Sequence, residues 1–585
     1  MYCIVLYCIA HIILHNLLRK YCHKRKKRLF GCFVDFSKAF DSVPRDILMS
    51  KLESVGINGR VLEIIKTIYA EDQACVKIGN KCSAPFRTNM GVRQGCVLSP
   101  ILFNIFLSDI QMEFDNPGYN PLLSNTEVSS LLWADDILIL STSADGLQQK
   151  LDNLKRYCLD NKLKVNTEKT KIMIFNKSGR NMKDKFSYGK TTLENVRQYK
   201  YLGFCVTPSG EIKSGLEDLR VRALKALTKI RKSLGSHFHY NIRNTIHLFN
   251  YMIRPILLYC GDFWGCLKHP KNSPISRFHM SFCKQLLGVS KQTSNNGVLL
   301  ELGLTPILFS AIKATVKNWE RIRKHNCNKL LLAAYNEARL SNLPWASSLE
   351  ETFAHNGMLN MFSRTQLQRD NQSPPHVELF QRLVDQFHQN AFNDIRSSSK
   401  LSLYSKLKEE TRREKYLYLV ENVKHRQSLT RFRLSSHSLS IETGRHRRIE
   451  RDSRICPFCV DIVEDEVHFL LECPSYNTIK IKYPDLDTKT LLLDNFAKIS
   501  FLMDENNIKR TASLIHEAFV HREVMIDAQN TISDMIGKIE LQEKKEKKWE
   551  TKRTSSNLTD EIKKSSGENK GRTLLEITEG LHKNY

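Results

Sequence analysis

Acidic residues are in short supply in this 585-residue chain: 62 Asp and Glu stand against 89 Lys and Arg, a formal net charge of +27. The basic excess is spread along the chain, so the favoured partner is an extended polyanion, nucleic acid ahead of a membrane surface. Cysteine is sparse too. Sixteen in 585 residues exclude a disulfide scaffold, and most sit in apolar runs (Cys32, Cys96, Cys158, Cys205) as reduced core thiols do. A nuclear or cytoplasmic, reducing compartment is the simplest inference. The N-terminus lacks the positive start and small-residue cleavage site of a secretory signal. Residues 1–18 (M-Y-C-I-V-L-Y-C-I-A-H-I-I-L-H-N-L-L) are apolar for about the length of a membrane span, but His11, His15 and Asn16 interrupt them. Ile13, Leu17 and Leu18 continue a helical face. The reading adopted is a buried helix with no stable membrane association, a signal anchor at 1–18 being the alternative.

What is present begins with two carboxylates. Residues 131–140 read L-L-W-A-D-D-I-L-I-L: apolar runs on both sides suggest buried strands, with Asp135 and Asp136 in the turn between. Buried carboxylates are costly unless a positive charge neutralises them. L-F-G-C-F-V-D-F, residues 29–36, is a second apolar strand with Asp35 at its exit. Three strand-end carboxylates side by side make a hard oxygen site suited to Mg²⁺. A pair of such ions can activate a 3′-hydroxyl and stabilise a leaving pyrophosphate. An isolated A-D-D in a hairpin is more often an ordinary turn, so the surrounding segments decide.

After Asp35, Ser42 is a candidate N-cap with Pro44 in the first turn of a helix that Gly56 closes. A second helix is expected over 60–70, then a hairpin turning at Gly79-Asn80. G-V-R-Q-G-C-V-L-S-P, residues 91–100, sets Arg93 and Gln94 between Gly91 and Gly95 and starts a helix at Ser99 and Pro100. Glycines there permit close backbone approach to a nascent base pair. Leu147, Leu151, Leu154 and Cys158 mark one face of a helix. Two short strands flank Lys169 and Lys171, and Tyr199 to Val206 form another strand pair.

In that order, five segments carry a specific resemblance: F-V-D-F-S-K-A-F-D-S-V, G-V-R-Q-G-C-V-L-S-P, W-A-D-D, N-T-E-K-T-K and Y-L-G. The chain resembles the reverse transcriptase of LINE-type (non-LTR) retrotransposons, with Trp133 where many members carry Tyr or Phe. The resemblance implies an α+β fold: a right-hand polymerase palm (antiparallel sheet with packed helices), then an all-α thumb. It also implies RNA-directed DNA polymerisation with two Mg²⁺, copying an RNA template from a primer 3′-hydroxyl at a nicked DNA target with deoxynucleoside triphosphates. Asp35 and Asp135 match the family's metal-binding aspartates and Asp136 its supporting carboxylate. Phe36 lends a backbone carbonyl to the metal, and Phe40 matches the bulky gate that leaves no room for a 2′-hydroxyl. Arg93, Gln94 and Gly95 match the loop facing the incoming base pair and template. Lys169 matches a lysine near the triphosphate, placed as general acid or counter-charge. Tyr201, Leu202 and Gly203 match the primer-grip hairpin.

One departure accompanies these matches. Family members carry a fingers region with triphosphate-clamping basic residues before the Asp35 strand, and an endonuclease before that. Residues 1–34 resemble only the stretch after the fingers motifs. The expectation is an N-terminally truncated chain, weak or inactive in isolation. The alternative is a remnant that only binds nucleic acid.

From about Lys213 the pattern is helical. Arg220, Arg222, Lys225, Lys229 and Lys232 lie on successive turns with leucines between, as a thumb gripping phosphates requires; a solvated face is the equally simple reading. Cys456, Cys459, His468 and Cys473 are spaced C-x₂-C-x₈-H-x₄-C, a closed tetrahedral set for one structural Zn²⁺, with buried free thiols as the alternative. This segment resembles the zinc-binding segment that follows LINE-type reverse transcriptases. The expected domains are a leader helix or fingers remnant (1–28), palm (29–210), helical thumb and connection (211–340), a looser helical connector (341–440), zinc knuckle (441–485), and a helical then disordered charged tail (486–585).

Overall fold

The computed structural model describes residues 2–565, apart from 116–117, 181, 236, 268–272, 324–327, 364–372 and 490. The expected disordered tail beyond 565 lies outside the described residues. The chain divides into two compact units, Met1–Glu421 and Asn422–Tyr585, the boundary falling inside the stretch read as a connector.

The first unit is built on a six-stranded sheet of strands β1 (Leu29–Val34), β2 (Ser130–Trp133), β3 (Asp136–Ser141), β4 (Lys171–Phe175), β5 (Phe186–Tyr188) and β6 (Thr191–Asn195), in the order β5-β6-β4-β1-β3-β2. Neighbours are antiparallel except β4 and β6, which run parallel; the purely antiparallel expectation is corrected there. The chain leaves β4 and returns through the β5–β6 hairpin, so the last strand re-enters beside β4 pointing the same way. All six residues of β1 are buried. Alternate side chains of a strand face opposite sides, so a strand covered on both faces reads as an unbroken apolar run. Gly31 sits mid-strand because a Cβ there would meet the Phe175 ring at 2.8 Å.

Phe30, Cys32 and Val34 face four helices: α2 (Arg45–Ser54), α3 (Gly59–Ala70), α4 (Ser99–Phe106) and α5 (Ala144–Asp160). Leu147, Leu151, Leu154 and Cys158 of α5 are all buried, as their spacing predicts, and Ser143 caps that helix by accepting from the Gly146 amide. Leu29 and Phe33 face the other side, where Ile13, Leu14, Leu17 and Leu18 of helix α1 (Tyr2–Leu18) pack with Leu138, Leu140 and Phe175. The apolar leader is one wall of this core. No described helix is long and apolar enough to cross a membrane.

Two local expectations are corrected. Helix α2 begins at Arg45 with Pro44 as its N-cap, while the Ser42 hydroxyl donates to Ala39 O at 3.2 Å. The residue before a proline is held out of the helical region, and Val43 is extended. Ahead of Lys169 there is no second strand, only a bridge between Phe36 and Val165. The Asn166 side chain accepts from the amides of Glu168 and Lys169 and turns the chain first. The stretch read as a looser helical connector carries helices Pro344–His355 and Pro375–Ser397; its 364–372 segment lies outside the described residues.

Helix α6 (Lys213–Leu234) follows the hairpin of β7 (Tyr199–Tyr201) and β8 (Phe204–Val206), and further helices complete the unit. In the second unit, helix α7 (Val423–Arg433) packs on helix α8 (Ile508–Ser565). Every side chain from Asp527 to Trp549 of α8 is exposed, as the solvated helix reading expects.

Candidate active site and thiol cluster

Asp35 follows β1 and Asp136 opens β3. The register pairs Phe33 with Leu138 and Val34 with Ile137, so Asp35 and Asp136 are the next opposing positions. Trp133 pairs with Asp136 across a two-residue turn, with Ala134 at φ 51°, and Asp135 stands in that turn. Sheet pairing thus joins carboxylates a hundred residues apart in sequence. Burial, and then the charges of Asp135 and Asp35, push the Asp136 carboxyl up to about 6. That is the signature of negative groups crowded together with too little compensation. Among the described residues, Lys169 is the cation that pairs with them, its Nζ 3.8 Å from Asp35 Oδ2 with a side chain 70 % exposed. An ion pair so open to solvent neutralises little.

The backbone around Asp35 is fixed by neighbours that sequence reading missed. The Asp35 amide donates to Thr170 Oγ1 at 3.2 Å, and the Asn166 amide donates to the Asp35 carbonyl at 2.8 Å. Both lie in or beside N-T-E-K-T-K, so a signal was present, but only the lysine of that segment was singled out. Phe36 is buried. The Phe40 ring is half-buried and stacks on Phe103, centroids 4.5 Å apart.

The loop of Arg93 to Gly95 is held from behind. Arg93 donates from Nε to Asp72 Oδ1 at 2.8 Å and from Nη2 to Ile68 O at 3.0 Å. Asp72 also takes Arg45 at 2.6 Å and the Thr88 hydroxyl at 2.6 Å. Gln94 Nε2 donates to Asp41 Oδ1 at 2.8 Å, so Asp41 braces this loop. Gly91, at φ 85°, has the Asp41 carbonyl 2.7 Å from where a Cβ would stand. Gly95, at φ 84°, has open space around it.

The β7–β8 hairpin lies beside the carboxylates. Tyr199 stacks on Phe33 at 4.1 Å, and burial with the charges of Asp136 and Asp35 pushes its hydroxyl up to about 12. Tyr201 and Leu202 are buried, and Leu202 and Gly203 form the turn. On α6, Lys225, Lys229 and Lys232 are exposed, whereas Arg220 pairs with Glu217 and Arg222 is turned inward onto Gly203 O and Asp218.

Residues 7–206 match the family described as Reverse transcriptase (RNA-dependent DNA polymerase). They are a reverse transcriptase domain. The chain is also similar to the RNA-directed DNA polymerase from mobile element jockey of Drosophila funebris, 23 % identical over 310 residues, which are 52 % of this chain and 33 % of that protein. Similarity extends to the probable RNA-directed DNA polymerase from transposon BS of Drosophila melanogaster, 24 % identical over 326 residues, 54 % of this chain and 35 % of that one. A third relative, the Pol polyprotein from type-1 retrotransposable element R2 of Nasonia vitripennis, is 23 % identical over 359 residues, 56 % and 33 % of the two chains. The chain spans about a third of the length of these relatives. Among solved structures, apo telomerase from Candida Tropicalis is similar at a TM-score of 0.26 and 13 % identity, covering 68 % of this chain and 55 % of that one, a likeness too slight to bear on the reading.

Outside the reverse transcriptase domain, Cys456, Cys459, His468 and Cys473 form a compact cluster in the second unit, their ligand atoms all within 4.8 Å of one another. Cys459 and Cys473 lie 3.7 Å apart, well beyond a disulfide bond. Neither ring nitrogen of the buried His468 has a hydrogen-bond partner. Three thiols and an unsatisfied imidazole converging in a buried pocket fit a soft tetrahedral cation. Behind them Glu464, fully buried, receives Arg522 at 2.7 and 2.6 Å and ties the loop to α8.

Proposed function

We propose that this chain is an RNA-directed DNA polymerase of the non-LTR retrotransposon type, the sheet acting as palm and α6 as part of a thumb. The observation that carries the reading is the convergence of Asp35, Asp135 and Asp136 at the ends of adjacent central strands, under-compensated and half-open to solvent. Crowded carboxylate oxygens fit a hard divalent cation. Two Mg²⁺ ions, when held there, lower the barrier for a primer 3′-hydroxyl to displace pyrophosphate from a deoxynucleoside triphosphate.

The remaining roles belong to the chain's own groups. Asp35, Asp135 and Asp136 supply the carboxylates, and Phe36 offers its carbonyl beside them. Lys169, exposed and close to Asp35, is free to swing toward a triphosphate as counter-charge or acid. Phe40, backed by Phe103, is a rigid floor that excludes a 2′-hydroxyl. Arg93 and Gln94 hold the loop, and Gly95 presents bare backbone to the template and incoming base. Tyr201, Leu202 and Gly203 grip the primer end. Lys225, Lys229 and Lys232, one or two turns apart on α6 and exposed, take duplex phosphates without reading sequence. RNA is the template and a DNA 3′ end at the target is the primer. Cys456, Cys459, His468 and Cys473 hold one Zn²⁺ with no ligand position left open, so that site is structural.

The test is primer extension on an RNA template in Mg²⁺ by the full chain and by Asp135→Ala. Extension by the wild type and loss in the variant are expected. Equal signals would remove the catalytic assignment and leave a nucleic-acid-binding protein.

A further inference from the structure

The β7–β8 turn is gripped from outside its own strands. Leu202 and Gly203 stand at φ 43° and 77°, which turns their carbonyls away from the hairpin ladder. One carbonyl is taken by a side chain of α6, the other by Tyr259 from the turn between the short helices Arg254–Leu257 and Gly261–Trp264. Tyr259 Oη donates to Leu202 O at 2.8 Å, and Arg222 Nη2 of α6 donates to Gly203 O at 2.9 Å. The two side chains also meet each other, the Arg222 guanidinium lying 5.8 Å from the Tyr259 ring centre.

Both donors are anchored in turn. Arg222 Nε lies 3.0 Å from Asp218 Oδ2, four residues back on the same helix. The Tyr259 carbonyl accepts from Nε1 of Trp264, which is fully buried. There is no slack at the turn: a Cβ on Gly203 would stand 2.8 Å from the Tyr259 hydroxyl. Close by, α6 meets the hairpin through Gly215, where a Cβ would fall 2.2 Å from the Phe204 ring. The hairpin in turn stacks Tyr199 on Phe33, two residues before Asp35. A continuous path of contacts therefore runs from α6 and Tyr259, through the turn, to the strand that carries a catalytic carboxylate.

We infer that Tyr259 and Arg222 are positioning residues that set the height of the Leu202–Gly203 turn, and with it the primer terminus, relative to the carboxylates. The inference rests on the polymerase reading given above. It removes Arg222 from the phosphate-gripping set, because its guanidinium is spent on the turn. It also gives α6 a second duty: a shift of the helix on the duplex is passed to the primer end through one hydrogen bond.

The experiment uses the full chain with Tyr259→Phe, which deletes one hydroxyl, and Arg222→Gln, with Arg222→Lys as the conservative partner. KM is measured separately for primer–template and for deoxynucleotide, alongside thermal unfolding and hydrogen exchange of amides 199–206. Losing one neutral hydrogen bond is expected to raise the primer–template KM about fivefold, with the deoxynucleotide KM unchanged, the melting temperature lower by no more than about 2 °C and faster exchange confined to the hairpin. Arg222→Lys is expected to recover part of the Arg222→Gln loss. An unchanged primer–template KM, or both KM values rising together with a larger drop in melting temperature, would overturn the inference while leaving the polymerase reading intact. A wild-type chain that extends no primer would overturn the polymerase reading first, and this inference with it.

Discussion

The two candidate metal centres are built in opposite ways. The carboxylate cluster joins segments a hundred residues apart, and the sheet holds them whether or not a cation is present: β1 and β3 are buried through most of their length. The thiol cluster comes from eighteen consecutive residues whose described backbone has turns, one bridge (Ile455 to Val463) and short helical pieces, but no sheet. Where packing fixes the ligands, a metal adds charge balance. Where it does not, the metal holds the loop together.

That contrast is open to attack at both ends. The largest effect is expected at Asp136. Asp136→Asn removes one of the proposed metal ligands and is predicted to cut primer extension at least about a hundredfold. The same change relieves a half-buried, crowded charge, so the metal-free chain should melt at a slightly higher temperature. Calorimetry beside the extension assay checks both, and a lower melting temperature would show that the carboxylate is holding the sheet. Next in size is loss of the proposed zinc. Chelation, or Cys459→Ser, is expected to unfold the 456–473 loop, read as lost hydrogen-exchange protection there, with amides of β1 and β3 unchanged. Equal loss in both regions would erase the distinction.

The smallest test concerns acid stability of the first unit. Burial, and then the Arg254 charge, lower the His279 imidazole to about 4, against an ordinary value near 6.5. The unfolded chain binds a proton that the folded one refuses, so stability falls as pH drops from 6.5 toward 4. His279 alone accounts for about 3 kcal/mol between pH 7 and pH 4. His279→Leu should flatten the unfolding free energy across that window by this amount, and an unchanged slope would contradict the assignment.

Much of the carboxylate site is legible in the sequence because strands covered on both faces write themselves as unbroken apolar runs, and the acids end those runs. Helix α5 is equally plain, its buried face repeating at helical spacing. The parallel return of β6 beside β4 is not, since nothing local encodes a partner strand. The leader α1 is ambiguous for a physical reason: a helix apolar on most sides suits a membrane or a crowded core alike, and only the packing of Leu14 and Leu17 decides. Arg222 misled because a cation on a helix reads the same whether it faces phosphate or a backbone carbonyl. Tyr259 carried no signal at all, because its hydroxyl reaches the turn across 57 residues.

The most direct test of shared metal binding by Asp35, Asp135 and Asp136 is a Mn²⁺ titration of the full chain followed by electron paramagnetic resonance. The account predicts bound Mn²⁺ that is lost in Asp35→Asn and in Asp136→Asn and kept in Cys459→Ser. Bound Mn²⁺ undiminished in both aspartate variants would contradict it.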